Sequence, residues 1–276
     1  GFSGEYKEVK PGEYQMHGGA GLPGFTYNLE IKAKGQTYRS IPQKMPIVIG
    51  SDKLSVEFRQ TRVGINTEVQ AAVIHSDVSL PATEENYFLR WMVDEAFYWE
   101  LTFFPNAFNR PPPECFVFGL VDPERITMID GSLLENSSAS SRELVGIRPV
   151  DESFLSLHYF TVTQLSISKE AFEYWIKVRE LVNNTGSVFD SPPAPIQGNI
   201  FNVDEPETRA LGYFEVAKAK VTRISTSRLD VPFFLNDACP FVPGKPRNQY
   251  PETCLSCNAW ESSTTIAPDW WLNPNP

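Results

Sequence analysis

The sequence of 276 residues lacks several features that mark common protein classes. No apolar run approaches the roughly 18 residues of a membrane-spanning helix, so no helical span is predicted. Basic residues are few, because 24 Lys and Arg stand against 34 Asp and Glu, giving a net charge of −10. Nucleic-acid surfaces and broad contacts with anionic lipid need clustered Lys and Arg. Neither partner is therefore expected.

Recognised catalytic motifs are also missing. The sequence contains no GxSxG, HExxH, P-loop or GxGxxG in a strand–helix setting. Neighbouring carboxylates such as Asp94 and Glu95 would point to opposite faces of a strand, which makes them a poor general acid/base pair. Asp204 and Glu205 precede Pro206, which favours a solvated loop, with a calcium site as the alternative. We expect a protein that is not an enzyme and needs no cofactor.

Alternating apolar and polar residues predict many β-strands. Two aromatic-rich runs, 87–94 and 96–104, form either one long bent strand or a tight corner. A hairpin is predicted from Phe25 to Ile41, with its turn at Lys34-Gly35. Further strands are predicted at 54–58, 69–73, 115–120, 143–150, 154–167, 198–203 and 211–226.

One amphipathic helix is predicted at residues 168–183. Ser168 is a suitable N-cap because its hydroxyl can accept a hydrogen bond from a first-turn N–H. Asn183, Asn184 and Gly186 tolerate the left-handed conformation that ends a helix. The proline-rich run 191–195 then predicts a rigid corner. The helix carries a broad apolar stripe, interpreted as core packing: Ala171, Phe172, Tyr174, Trp175, Val178, Leu181 and Val182.

Together these elements favour a mainly β fold. We predict a partial immunoglobulin-like or transthyretin-like sandwich over residues 1–46, because prolines interrupt pairing at 42–46. A larger β-sandwich or partly closed barrel with the one long helix is predicted over residues 47–276. It ends in a cysteine-containing tail at 236–276.

The four cysteines favour disulfides over a metal site or reactive thiols. A zinc ribbon needs two close pairs, and only Cys254 and Cys257 form one. We prefer a bond from Cys239 to Cys254 or Cys257, because it would pin a tail with little core of its own. Cys115 then pairs with the remaining cysteine or stays single. Disulfides predict an extracytoplasmic location.

A tryptophan pair, Trp270-Trp271, lies near the end of the chain. It is interpreted as a plug over the domain, with an exposed contact for a partner or a glycan as the alternative.

Seven short runs carry a resemblance to a known family: 165–175, 184–190, 192–200, 211–214, 254–257, 263–265 and 268–270. They resemble the Bacteroidota outer-membrane lipoproteins known as domain of unknown function 4249. The resemblance implies an N-terminal immunoglobulin-like domain, a location on the outer membrane, and genes beside TonB-dependent transporters. It implies no established activity. It also leads us to expect the lipid-bearing cysteine and the first immunoglobulin-like strands upstream of Gly1.

Three functional hypotheses follow. The first is a surface lipoprotein that serves a TonB-dependent barrel as an accessory subunit and binds the transporter or its cargo. The second is a structural or adhesion module of a larger envelope complex. The third is an unrecognised hydrolase, which requires a concave site lined by buried Asp, Glu or His with shifted pKa values.

Overall fold

The computed structural model describes residues 3–16, 21–47, 50–63, 67–79, 87–105, 110–131, 140–183, 195–273 and 275. These residues form sixteen strands and two α-helices. The strands are β1 (Tyr6–Lys10), β2 (Glu13–Met16), β3 (Thr26–Tyr27), β4 (Glu30–Ala33), β5 (Gln36–Ser40), β6 (Gln43–Lys44), β7 (Ser51–Val63), β8 (Thr67–Ser79), β9 (Phe88–Tyr98), β10 (Phe116–Leu120), β11 (Thr127–Asp130), β12 (Ser140–Pro149), β13 (His158–Ile167), β14 (Ile200–Asn202), β15 (Lys218–Thr226) and β16 (Ser263–Thr264). The helices are α1 (Lys169–Asn183) and α2 (Glu252–Leu255).

The central sheet is built around β9. Its strand order is β15-β13-β9-β10-β16, and β11 also pairs with β9. β13 pairs antiparallel with the full length of one edge of β9, while β11 and β10 share the other edge. The first aromatic run and the start of the second therefore form one long strand. Aromatic and β-branched residues suit this central position because both faces of the strand can pack.

A second sheet, β12-β8-β7, lies over the central one. Their inner faces share a core to which β8 contributes Ile74 and Val78, β9 contributes Leu89 and Trp91, and β13 contributes Phe160. Burying each such side chain stabilises the fold by roughly 1.5–3 kcal/mol. The prediction of a mainly β, sandwich-type fold with one long helix is confirmed, and among the described residues no sheet closes into a barrel.

The predicted hairpin in the first part of the chain is confirmed at its turn. β4 and β5 pair antiparallel on either side of Lys34 and Gly35, whose φ angles are 51° and 76°. Two successive positive φ values are what a tight hairpin turn requires. β14 adds to the same sheet by pairing with β5, so strands on both sides of the proposed boundary near residue 46 contact each other. The division into two domains stays a prediction.

Helix α1 follows directly from β13. The Ser168 hydroxyl accepts a hydrogen bond from the Ala171 N–H at 3.2 Å, which confirms the predicted N-cap. Ala171 and Phe172 are buried, and the Phe172 ring lies 4.9 Å from that of Phe88 on β9. The helix is thus clamped to the central sheet. Residues 184–194 lie outside the described residues. They include Asn184 and Gly186 of the predicted helix end and two prolines of the predicted corner.

Two disulfides fix the cysteine-containing tail, so the prediction of disulfides is confirmed. Cys239 bonds to Cys254, and Cys115 beside β10 bonds to Cys257. All four cysteines are buried in one cluster with the rings of Phe97 and Trp99. The tail therefore gains a small core of its own at one end of the central sheet.

Candidate binding cleft

The tryptophan pair of the tail packs on the central sheet. Trp271 is 7% exposed, its carbonyl accepts a hydrogen bond from the Tyr159 hydroxyl at 2.7 Å, and its ring lies 4.9 Å from that of Phe116. Trp270 is half-buried, with the Arg223 guanidinium 4.4 Å from its ring centre. The arrangement matches the plug interpretation. Because Trp271 is enclosed, only Trp270 retains a surface on which a partner could rest.

Asp204 and Glu205 lie in an exposed turn after β14. The Asp204 N–H donates to Asn202 Oδ1 at 3.0 Å, and the Thr208 hydroxyl lies 3.3 Å from Glu205 Oε2. Among the described residues no group of three or more His, Cys, Asp or Glu side chains could hold a metal ion. A calcium site at this turn stays an untested prediction.

A cleft of about 360 Å³ opens at the end of β9 nearest the tail. Alternate residues of β9 share a face, and along that face the apolar Trp91 and Val93 give way to Glu95 and Phe97. The cleft is lined by Glu95, Phe97, Trp99, Val117, Phe118, Arg148, Asp151, Glu152, Ser153, Trp260, Glu261 and Ser262.

The charged wall of the cleft is centred on Arg148, at the end of β12. Its Nε donates to Glu95 Oε2 at 2.7 Å, and its Nη1 donates to Asp151 Oδ2 at 2.9 Å. His158 Nε2 lies 3.0 Å from the same oxygen of Glu95. The register explains the last contact: Phe97 of β9 pairs with His158 of β13, so the Glu95 and His158 side chains lie diagonally on one face. A buried carboxylate is thus held by two partners at once.

Ser153 is positioned by a 3₁₀ turn, Glu152–Leu155, that follows β12. Asp151 caps the turn, because its Oδ1 accepts from both the Ser153 N–H at 2.9 Å and the Ser153 hydroxyl at 2.5 Å. The same hydroxyl oxygen lies 3.5 Å from His158 Nδ1. Since the hydroxyl proton goes to Asp151, the longer approach to His158 is a weak one.

The pKa values of the charged wall follow from these contacts. Burial would raise the pKa of Glu95, but the hydrogen bond with His158 and the charge of Arg148 outweigh it and hold the pKa below its usual range. Burial would likewise raise the pKa of Asp151, and Arg148 and Ser153 lower it. Burial would lower the pKa of Arg148, and the two carboxylates raise it instead. The network thus holds charged carboxylates around a charged guanidinium.

Aromatic rings lie beside the charged wall, and Phe97, Trp99, Phe118 and Trp260 are the ones that line the cleft. The His158 ring is sandwiched between Phe154, at 4.2 Å between ring centres, and Phe97, at 5.3 Å. Trp260 meets Trp99 edge-on at 5.0 Å. The Trp99 indole N–H donates to the Thr253 carbonyl at 2.9 Å, which fixes its orientation. Trp260 is half-buried at the rim, so part of its ring is open to a ligand.

A family model described as Domain of unknown function (DUF4249) matches residues 1–223. The chain belongs to this family. No curated protein and no solved structure matches it.

The match of this DUF4249 chain ends before its disulfide-bonded tail. The tail motifs that also suggested the family lie beyond residue 223, so the Trp260 side of the cleft is built by a segment outside the matched region. Among the described residues, no helix is long and apolar enough to cross a membrane.

Sequence reasoning did not find the cleft of this DUF4249 chain. In the sequence, Glu95 stands beside Asp94, whereas its partners in the structure, Arg148 and His158, lie 53 and 63 residues away. The residues around a lone histidine such as His158 do not indicate which distant side chains it will contact. The one sequence feature that points towards the cleft is the charged Glu95 within the buried-strand pattern of β9.

Proposed function

We propose that this chain is a non-catalytic lipoprotein of the Bacteroidota cell surface, held on the outer membrane by a lipid anchor. In this proposal it is an accessory subunit of a TonB-dependent transporter and binds the transporter or its cargo. Membership of the DUF4249 family supports the proposal. The lipoprotein character and the neighbouring TonB-dependent barrel are what the resemblance to that family implies. The two disulfides add support, since disulfides persist in oxidising compartments.

The closed charge network is the observation that carries the non-catalytic part of the proposal. Arg148 is bonded to both Glu95 and Asp151, and Glu95 is also bonded to His158. A general acid at neutral pH needs a carboxyl pKa raised towards 7. Here the pKa values of both carboxyls are held low. Such a network favours a rigid wall for binding over a proton-transfer centre.

A hydrolase is the second candidate, and a specific observation favours it. Ser153, His158 and Glu95 follow one another in the order of a nucleophile, a base and an orienting acid. Two facts weigh against it. Ser153 is 3% exposed and His158 is 0% exposed, and the Ser153 hydroxyl donates to Asp151 and not to the imidazole. We therefore rank this candidate below the binding role.

A purely structural or adhesion module is the remaining alternative. It requires no ligand pocket, whereas the cleft of about 360 Å³ is within the range of small-molecule sites. This favours a protein that binds cargo as well as its partner.

Affinity purification from the native outer membrane tests the accessory role. A tagged full-length lipoprotein would be extracted in mild detergent, and its companions identified by mass spectrometry beside an untagged control strain. We expect a TonB-dependent barrel in the tagged sample alone. Recovery of the lipoprotein without any barrel would contradict the proposal.

A further inference from the structure

We propose that the cleft binds a small organic cation through its ammonium group. The inference names the class of cargo, and it rests on the cargo-binding part of the function proposed above. It is carried by three features of the lining: an excess of carboxylates, a guanidinium that is already bonded to protein acceptors, and aromatic faces near the rim.

The lining carries more negative than positive charge. It contains four carboxylates and one guanidinium. Glu95 and Asp151 share Arg148, whereas Glu152 and Glu261 are exposed and form no ion pair within the described part of the chain. These two carboxylates are free to meet a positive charge at the mouth of the cleft.

The guanidinium that would favour an anion is already engaged by protein acceptors. Arg148 donates through Nε to Glu95 and through Nη1 to both Asp151 and the Pro149 carbonyl, and its Nη2 lies 3.4 Å from the Ser153 hydroxyl oxygen. The Trp99 indole N–H and the Ser153 hydroxyl likewise donate hydrogen bonds to protein acceptors. A phosphate or carboxylate would thus meet two carboxylates without an ion-pair partner, and a guanidinium already bonded to two others.

The aromatic wall supplies the complementary attraction. Trp260 and Phe118 are half-buried, with Phe97 and Trp99 buried behind Trp260. Aromatic faces beside carboxylates attract alkylammonium groups, because the ring quadrupole and the negative charge act in the same direction.

The position of Trp260 depends on the tail disulfide. Cys257, three residues before Trp260, is bonded to Cys115, and its carbonyl accepts from the Trp260 N–H at 3.1 Å. The aromatic wall is therefore tied to the central sheet through a covalent bond.

Isothermal titration of the full chain with choline tests the proposal. The matched probe is 3,3-dimethylbutan-1-ol, which has the shape of choline without the charge, and tetramethylammonium is the cation without the hydroxyl. We expect choline to bind at least about tenfold more tightly than its uncharged isostere, since an ammonium group is worth roughly 1–2 kcal/mol against aromatic faces. Equal binding of choline and the isostere, or no heat from either cation up to millimolar concentration, would overturn the proposal.

Two sets of variants locate the site. The double variant Glu152→Gln/Glu261→Gln should weaken choline binding about tenfold or more, and Trp260→Leu should do the same. The matched control Glu5→Gln/Glu207→Gln removes two exposed carboxylates far along the chain from the lining, and should leave the affinity unchanged. Equal losses in the cleft variant and the control would show a general charge effect and would refute the site. The titration involves no transporter, so its failure leaves the accessory role standing, and a failed affinity purification leaves the cation site standing.

Discussion

Arg148 links strands that are far apart in sequence. Its guanidinium joins Glu95 of β9 to Asp151 of the turn after β12, and its side chain is 17% exposed while that of Glu95 is 8% exposed. Buried ion pairs add little net stability compared with apolar residues, but removing one partner leaves an uncompensated charge. The network is therefore a vulnerable point of the fold.

Replacing Arg148 with methionine should lower the free energy of unfolding by about 3–5 kcal/mol, because Glu95 would remain buried without its cation. Urea denaturation monitored by tryptophan fluorescence measures this. The matched control is Arg59→Met, which removes an exposed pair with Glu57 at 3.8 Å and should cost less than about 1 kcal/mol. Equal losses in the free energy of unfolding for Arg148→Met and Arg59→Met would show that Arg148 does not neutralise a buried carboxylate.

At the level of residues, the sequence predicted local contacts and missed distant ones. The Ser168 cap was predictable because its acceptor and donor are three residues apart. The Glu95–His158 contact was not, because it depends on the register between β9 and β13. The cysteines are an intermediate case. The preferred bond from Cys239 could go to either nearby cysteine, and the structure chooses Cys254.

Among the elements, helix α1 depends on its first turn. Ser168 caps that turn and also donates to Gln43 Oε1 at 3.3 Å, so one hydroxyl both starts the helix and joins it to β6. Tyr213 donates to the same oxygen at 3.2 Å, and its ring stacks on Tyr174 at 4.7 Å. Burial raises the pKa of Tyr213 to about 12, so its hydroxyl remains a donor to a higher pH than that of an ordinary tyrosine.

The substitution Ser168→Ala should lower the free energy of unfolding by about 1 kcal/mol, through loss of the cap. Ser168→Asn keeps an acceptor at the cap and should differ from the original protein by only a few tenths of a kcal/mol. Thermal and urea denaturation of both variants would check this. Equal free energies of unfolding for Ser168→Ala and Ser168→Asn would show that the cap does not stabilise the protein.

Two strand predictions extended too far, for separate physical reasons. Residues 154–157 were expected to belong to a strand, but Asp151 caps a 3₁₀ turn that includes Phe154 and Leu155. Residues 211–217 were also predicted as strand, yet β15 begins only at Lys218. Gly212 has a φ of 96°, which interrupts an extended chain. In both places one residue, Asp151 or Gly212, favours a turn where the apolar pattern predicted a strand.

On the scale of the whole molecule, the tail is held by covalent bonds more than by a large core. The Cys115–Cys257 bond closes a separation of 142 residues, and the Cys239–Cys254 bond closes one of 15. The chain-entropy relation gives about 5 and 3 kcal/mol for such loops. The mainly β architecture could be predicted from alternating residues. The cleft could not, because it forms where β9, the turn after β12 and the tail meet.

We propose that the cleft binds its ligand and does not transform it. Incubation of the full chain with a fluorophosphonate, followed by intact-mass spectrometry, tests it most directly, with a known serine hydrolase as the positive control. Because the Ser153 hydroxyl is buried and bonded to Asp151, we predict an unchanged mass, identical to the behaviour of Ser153→Ala. A single adduct on the original protein that disappears in Ser153→Ala would contradict the account.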